Sequence, residues 1–178
     1  EADPPYILWS TPSVLNMVAT ELQRQEKSWN IPWVVLTSEN IFPHHFERYF
    51  ERISKNVIGH YGLMEAPTIA YDINDSGRRQ VMAYSFMMEY IDRREDGGKQ
   101  VGTPVVTNLD GYSMPFIRYS TEDIGSIVED DEFPNRIIGR ILGRMDDVLD
   151  FPDGTKFVHH HAAEMFLDFE ESEHYKFE

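Results

Sequence analysis

The segment Val57-Ile58-Gly59-His60-Tyr61-Gly62-Leu63-Met64-Glu65 decides how this chain is read. Its first half is short, apolar and β-branched, which predicts a strand. Its second half places an aromatic, a glycine and a carboxylate where that strand runs out into a loop. Toward the start, Ile31-Pro32-Trp33-Val34-Val35-Leu36 has the same character and predicts a buried strand. Ahead of it, Thr11-Pro12 opens a helix, with Thr as cap and Pro at the first helical position. Val14, Leu15, Val18 and Leu22 then make one apolar stripe at helical spacing. A second helix is expected from Pro43, with Phe46, Tyr49, Phe50 and Ile53 on one face. Helix, strand, helix, strand in this order predicts an α/β layer with parallel strands.

The pattern changes after Pro67. Thr68 to Asp72, Val81 to Arg93 and Thr103 to Leu109 are strand-like, with turn signals at Asn74-Asp75-Ser76-Gly77 and Asp96-Gly97-Gly98. Phe116 to Tyr119, Gly125 to Val128 and Arg136 to Leu142 continue the series, which predicts a meander or a small barrel. Asp153-Gly154 marks a hairpin between Val148-Leu149 and Phe157-Val158. Ala162 to Phe169 reads as a helix, and Tyr175-Lys176-Phe177 as the start of another strand.

Composition narrows the function classes. The 178 residues fit one domain, or one domain and a fragment of another. Hydrophobic residues at 41% supply a core and exclude wholesale disorder. The formal net charge of −15 repels phosphate backbones and anionic lipid, so neither nucleic acid nor membrane is an expected partner. A locally positive pocket can still take a small nucleotide. The absence of cysteine rules out disulfides, thiolate metal sites and a cysteine nucleophile. No apolar run reaches the length of a membrane span, and Glu1-Ala2-Asp3-Pro4-Pro5 is unlike a signal peptide. The expectation is a cytoplasmic protein. His44-His45 and His159-His160-His161 invite a metal reading, but adjacent side chains point in different directions and cannot readily converge on one ion.

Three segments carry chemistry: His60 to Glu65, then Met114-Pro115-Phe116-Ile117-Arg118-Tyr119-Ser120-Thr121-Glu122-Asp123, then Gly143-Arg144-Met145-Asp146-Asp147. Singly, each has a bland explanation. Tyr61 serves equally as a core aromatic, Glu65 and Asp123 as solvated loop acids, and Arg144 as the surface counter-ion of Asp146 or Asp147. In this order and at these separations, however, they resemble the adenylate-forming superfamily. The branch they resemble is that of phenylacetate–coenzyme A ligase and CapK-like proteins. That family shows Tyr-Gly-x-Thr-Glu, then Pro-Leu-Ile-Arg-Tyr-Arg-Thr-Gly-Asp, then Gly-Arg-x-Asp-Asp. Val34 to Asn40 resembles its strand and glutamate loop, which contains Glu39. Thr103-Pro104-Val105-Val106-Thr107-Asn108-Leu109 resembles the strand before the Arg-Tyr motif. The resemblance covers nearly the whole chain.

The resemblance implies a mixed α/β fold: the later half of a large N-terminal domain and the start of a small C-terminal one. Residues 1–72 would form the α/β part, 73–145 a β-rich subdomain with the nucleotide motifs, and 146–178 the hinge and first C-terminal elements. The implied reaction is ATP-dependent activation of a small carboxylic acid to an acyl-adenylate, with coenzyme A as a candidate acceptor and an aromatic acid as the candidate substrate. Joining two anions requires orientation and charge neutralisation. By resemblance, Tyr61 stacks on adenine, and Gly62 and Glu39 belong to the nucleotide site. Asp123 would accept from ribose hydroxyls, Arg144 would reach ribose or phosphate oxygens, and Glu65 would hold Mg²⁺. Glu65 and Arg144 are therefore the candidate catalytic residues. Asp146 falls at the family's hinge. The family also suggests roles in antibiotic or other secondary-metabolite biosynthesis, and a homodimer.

The chain departs from the pattern at three places. Met64 replaces a Thr or Ser that contacts the α-phosphate, and its thioether donates no hydrogen bond. Ser120 and Glu122 replace Arg and Gly. The family's Ser/Thr/Gly-rich phosphate loop has no counterpart here, and Lys176 is too near the hinge to serve as the C-terminal lysine. The chain is thus expected to be a fragment. The alternatives are a non-catalytic relative that binds nucleotide or a partner, and a capsule or secondary-metabolite protein of the same fold.

Overall fold

The computed structural model describes residues 6–39, 52–73, 76–129, 136–152 and 156–157. Three strands, Ile7–Ser10 (β1), Trp33–Leu36 (β2) and Val57–Tyr61 (β3), lie side by side and parallel, with Ile7 opposite Trp33 and Val34 opposite Val57. Parallel neighbours need a crossover. Helix α1, Pro12–Arg24, supplies the one between β1 and β2. It starts where the sequence places it: the Thr11 hydroxyl accepts from the Val14 amide at 3.5 Å, and Pro12 occupies a position whose N–H would have no helical partner.

The helix buries Leu15, Ala19 and Leu22 against Ile31, Val34, Leu36, Ile53 and Val57, with Val18 at the margin. Each fully buried leucine contributes about 1.5–3 kcal/mol. Val14 departs from the expected stripe and is exposed. Leu15, Ala19 and Leu22 at i, i+4 and i+7 define the inward face, and Val14 falls on its flank. Strand β1 was not expected, because Ile7-Leu8-Trp9-Ser10 is too short to show a period. Its burial alternates only weakly, from exposed to half-buried.

The sheet then turns back on itself. Ala70–Ile73 (β4) pairs antiparallel with β3, and Arg79–Val81 (β5) pairs antiparallel with β4. The layer is therefore mixed rather than all parallel, because the connection from β3 to β4 is too short for a crossover. Asp72 is buried and accepts from the amides of Ser76 and Gly77, both at 3.0 Å, which ties down the turn between β4 and β5.

Phe86–Asp96 (β6) and Lys99–Asn108 (β7) form a long hairpin. Its turn residues Gly97 and Gly98 both have positive φ, as a mirror-image two-residue turn demands. Tyr119–Ser120 (β8) and Asp123–Ser126 (β9) both pair with β7. Ile137–Ile138 (β10) returns to β5 and completes the first sheet in the order β1-β2-β3-β4-β5-β10. Ile141–Arg144 (β11) pairs with β9, giving the second sheet the order β11-β9-β7-β6. The strands of the expected meander are thus divided: β4, β5 and β10 belong to the first sheet, and β6, β7, β8, β9 and β11 to the second.

One apolar cluster joins the two sheets: Tyr61, Ile69 and Val81 from the first meet Phe86, Met88 and Val106 from the second. That packing brings the end of β3 against the start of β9. Beyond a 3₁₀ turn at Met145–Asp147, Leu149–Asp150 (β12) pairs with Lys156–Phe157 (β13), the expected terminal hairpin. Its Asp153-Gly154 turn lies outside the described residues. So do most of the helix expected from Pro43, His44-His45, His159 to His161, the helix at Ala162 to Phe169, and Tyr175 to Phe177. Among the described residues, no helix is long and apolar enough to cross a membrane. The described residues form a mixed α/β fold of two larger sheets and a two-stranded hairpin.

Candidate nucleotide site

The site is built where β3 ends. Its last residue, Tyr61, is 8% exposed and packs in the shared core. Gly62 follows because nothing larger fits. A Cβ there would lie 2.6 Å from the Pro67 carbonyl carbon and closer still to its oxygen. The loop folds tightly over this point, with the Leu63 amide donating to the Ala66 carbonyl at 2.9 Å and the Ile69 amide donating back to the Tyr61 carbonyl at 2.9 Å.

Asp123 opens β9 and is held from behind. The Thr121 hydroxyl donates to the Pro104 carbonyl at 3.0 Å and accepts from the Asp123 amide at 3.2 Å. The Tyr61 hydroxyl donates to Asp123 Oδ2 at 2.6 Å across the interior. Burial lifts the Asp123 carboxyl above its ordinary range, opposed by the Tyr61 hydrogen bond and the positive charge of Arg144. Burial, with the Asp123 charge behind it, lifts the Tyr61 phenol well above 10. The phenol thus stays protonated and remains a donor at neutral pH. Arg144 ends β11 directly across from Asp123 in the ladder, so the two residues are cross-strand neighbours.

These groups line a cleft of about 380 Å³, with Ser38 and Glu39 also in its wall. Glu39 is already engaged. Its carboxylate oxygens accept from the Ser13 amide at 2.8 Å and the Ser13 hydroxyl at 2.7 Å, placing a negative charge at the positive end of α1. Two further wall residues escaped the sequence reading. Arg79 is buried and donates to the Gly139 carbonyl at 3.2 Å. His60 is held by Thr37 at 3.0 Å and Thr68 at 3.2 Å, with Trp9 edge-on to its ring and burial lowering its pKa. The sequence held a signal for His60, which precedes Tyr61 in the segment that decides the fold. For Arg79 it held none.

Two candidates stand apart. Glu65 faces a neighbouring open hollow with Met64, Asn108, Tyr112 and Phe116, and its Oε1 accepts from the Tyr119 hydroxyl at 3.0 Å. That bond raises the Tyr119 phenol above its usual value. Asp146 sits exposed in the 3₁₀ turn, while Asp147 lines the cleft. Among the described residues, no three His, Cys, Asp or Glu side chains form a metal cluster. Magnesium makes no such demand, because one or two carboxylates with phosphate oxygens suffice. Glu65 is exposed and faces the neighbouring hollow rather than the cleft.

Arg144 pairs with Glu122, at 3.4 Å, rather than with the Asp146 or Asp147 of the bland reading. Glu122 has φ of 58°, a left-handed conformation that costs an ordinary residue and suits glycine. Glu122→Gly is therefore expected to stabilise the fold by about 0.5–1 kcal/mol, since the exposed ion pair it removes contributes little. Urea unfolding checks this, and a loss of stability would show that the conformation carries no penalty.

No protein-family model matches the chain. It is 29% identical over 156 residues to a phenylacetate–coenzyme A ligase of Pseudomonas putida, covering 82% of this chain and 35% of that enzyme. It superposes on 2-hydroxyisobutyryl-CoA ligase in complex with R3-HIB-AMP, at a TM-score of 0.66 and 21% identity, over 89% of this chain and 36% of that one. The same ligase has also been solved with 2-HIB-AMP and CoA. E. coli MenE with bound OSB-AMS matches at a TM-score of 0.59 and 15% identity, over 89% of this chain and 34% of that one. The chain therefore spans about a third of the length of these relatives. It has the fold of the adenylate-forming, acyl-CoA synthetase-like superfamily, and its motifs resemble that superfamily as well.

Proposed function

We propose that this chain is the ribose- and nucleotide-holding part of an enzyme that activates a carboxylic acid with ATP. The acid attacks the α-phosphorus, pyrophosphate leaves, and the acyl-adenylate passes its acyl group to an acceptor, for which coenzyme A is the first candidate. The observation that carries this reading is the buried Tyr61–Asp123 hydrogen bond in the wall of a cleft that Arg144 also lines. It fixes one carboxylate oxygen and leaves the other to accept from a ribose hydroxyl. Arg144, next to it on β11, offers a guanidinium to phosphate oxygens. Tyr61 is packed into the core, so its role toward adenine is that of a wall rather than a free platform. Magnesium would supply charge neutralisation at the phosphates, with Glu65 as its protein ligand. Residues 146–178 would carry the hinge, with Asp146 at the pivot.

The curated similarity to a phenylacetate ligase supports an acid–CoA ligase and makes an aromatic acid the first candidate. The second reading is a nucleotide-binding relative without catalysis. Met64 favours it, being 95% exposed and lacking the hydroxyl the family uses.

Titration of AMP into the parent chain and into Asp123→Ala tests the proposal. Loss of the ribose contact is expected to weaken binding by about 1.5 kcal/mol, roughly tenfold. Equal affinities in the two would remove Asp123 from the site. No binding to the folded parent would remove the nucleotide.

A further inference from the structure

Glu122 stands beside the cleft rather than in its wall, yet its carboxylate engages a residue that is in the wall. Its Oε2 lies 3.4 Å from Arg144 Nη2, and both side chains are more than half exposed. The backbone holds Glu122 in place, because its carbonyl accepts the Met145 amide at 2.8 Å, joining the loop before β9 to the end of β11. The chain keeps a charged side chain at a left-handed position where glycine would be easier, and that side chain meets a cationic wall residue.

We infer that Glu122 is a tethered counter-anion of Arg144: it competes with anionic ligands for the guanidinium and makes the cleft discriminate against phosphate groups relative to neutral ones. The ligand's identity rests on the nucleotide reading, whereas the competition itself does not. An exposed ion pair adds little to stability and exchanges readily. An incoming phosphate must therefore displace the carboxylate from the guanidinium, and breaking that exposed pair corresponds to about a one-and-a-half- to fivefold loss of affinity. Higher salt weakens it.

The test is calorimetric titration of inorganic pyrophosphate, AMP and adenosine into the parent chain and into Glu122→Gln, which keeps the length of the side chain and removes its charge. Pyrophosphate and AMP should bind about one-and-a-half- to fivefold more tightly to the variant at low salt, with adenosine unchanged. In an Arg144→Gln background the gain should vanish. A gain that persists without Arg144 would mean bulk repulsion and overturn the assignment, as would anion affinities that ignore the substitution. If AMP and adenosine bind neither protein while pyrophosphate still tightens, the nucleotide reading falls and the role of Glu122 stands.

Discussion

Gly62→Ala is expected to destabilise the chain by about 3 kcal/mol, the upper end of what overpacking usually costs. The added methyl has nowhere to go. It would press on the Pro67 carbonyl, whose carbon lies 2.6 Å from the built Cβ, and on the His60 ring at 3.0 Å. A flexible side chain could give way, but a backbone carbonyl moves only with its neighbours. Those neighbours are fixed, since Ala66 and Ile69 on either side of the turn are buried and hydrogen-bonded to Leu63 and Tyr61. The strain falls on the residue that follows Tyr61, so the variant should lose cleft geometry along with stability. Urea unfolding measures the first, and AMP titration of the folded fraction the second. An unchanged midpoint would mean that the loop from 62 to 67 is far softer than its hydrogen bonds imply.

The same position shows how the sequence was legible. A glycine after an aromatic is uninformative alone, and its necessity comes from Pro67 folding back over it. Local periodicity did predict helix α1, because capping by Thr11-Pro12 and the spacing of Leu15, Val18 and Leu22 are properties of one turn and the next, although Val14 is exposed and Ala19 completes the buried face. The Gly97-Gly98 hairpin was equally local. What escaped depended on distant contacts. Strand β1 is too short to announce itself and exists by pairing with β2. Arg79 is buried by residues some 60 positions along the chain, with Gly139 accepting its hydrogen bond. Glu39 was read as a ligand-binding acid, and its engagement with Ser13, 26 residues earlier, follows only from the fold. Arg144 is expected at ribose or phosphate oxygens, with Asp146 or Asp147 as its bland counter-ions, whereas the ladder sets it opposite Asp123 and its ion pair is with Glu122. Across these cases, residue type revealed candidate chemistry, and pairing between remote strands decided which candidates met.

Tyr61→Phe is expected to cost about 2 kcal/mol at neutral pH, and that cost should shrink on acidification. The phenol is the buried partner of Asp123 Oδ2. Removing one oxygen leaves a gap too small for a water to replace it, so the carboxylate oxygen loses its donor outright. The sign of the pH dependence follows from the direction of the shift. Burial already raises the folded Asp123 carboxyl above its ordinary 3.8, and the Tyr61 hydrogen bond opposes that rise. Without the hydrogen bond the folded pKa climbs further. A group whose folded pKa is raised contributes its full stability below the unfolded value and loses it as pH rises through the folded one. The variant therefore suffers most where Asp123 must ionise and least where it can stay protonated in both states. Urea unfolding of parent and variant at neutral pH and at mildly acidic pH gives the two differences. A gap that narrows toward acid would establish the buried hydrogen bond as the support of an ionised Asp123, and with it the preorganised carboxylate that the ribose site requires. A gap of constant size would reduce Tyr61 to a packing residue and leave Asp123 to be held by Thr121 and Arg144.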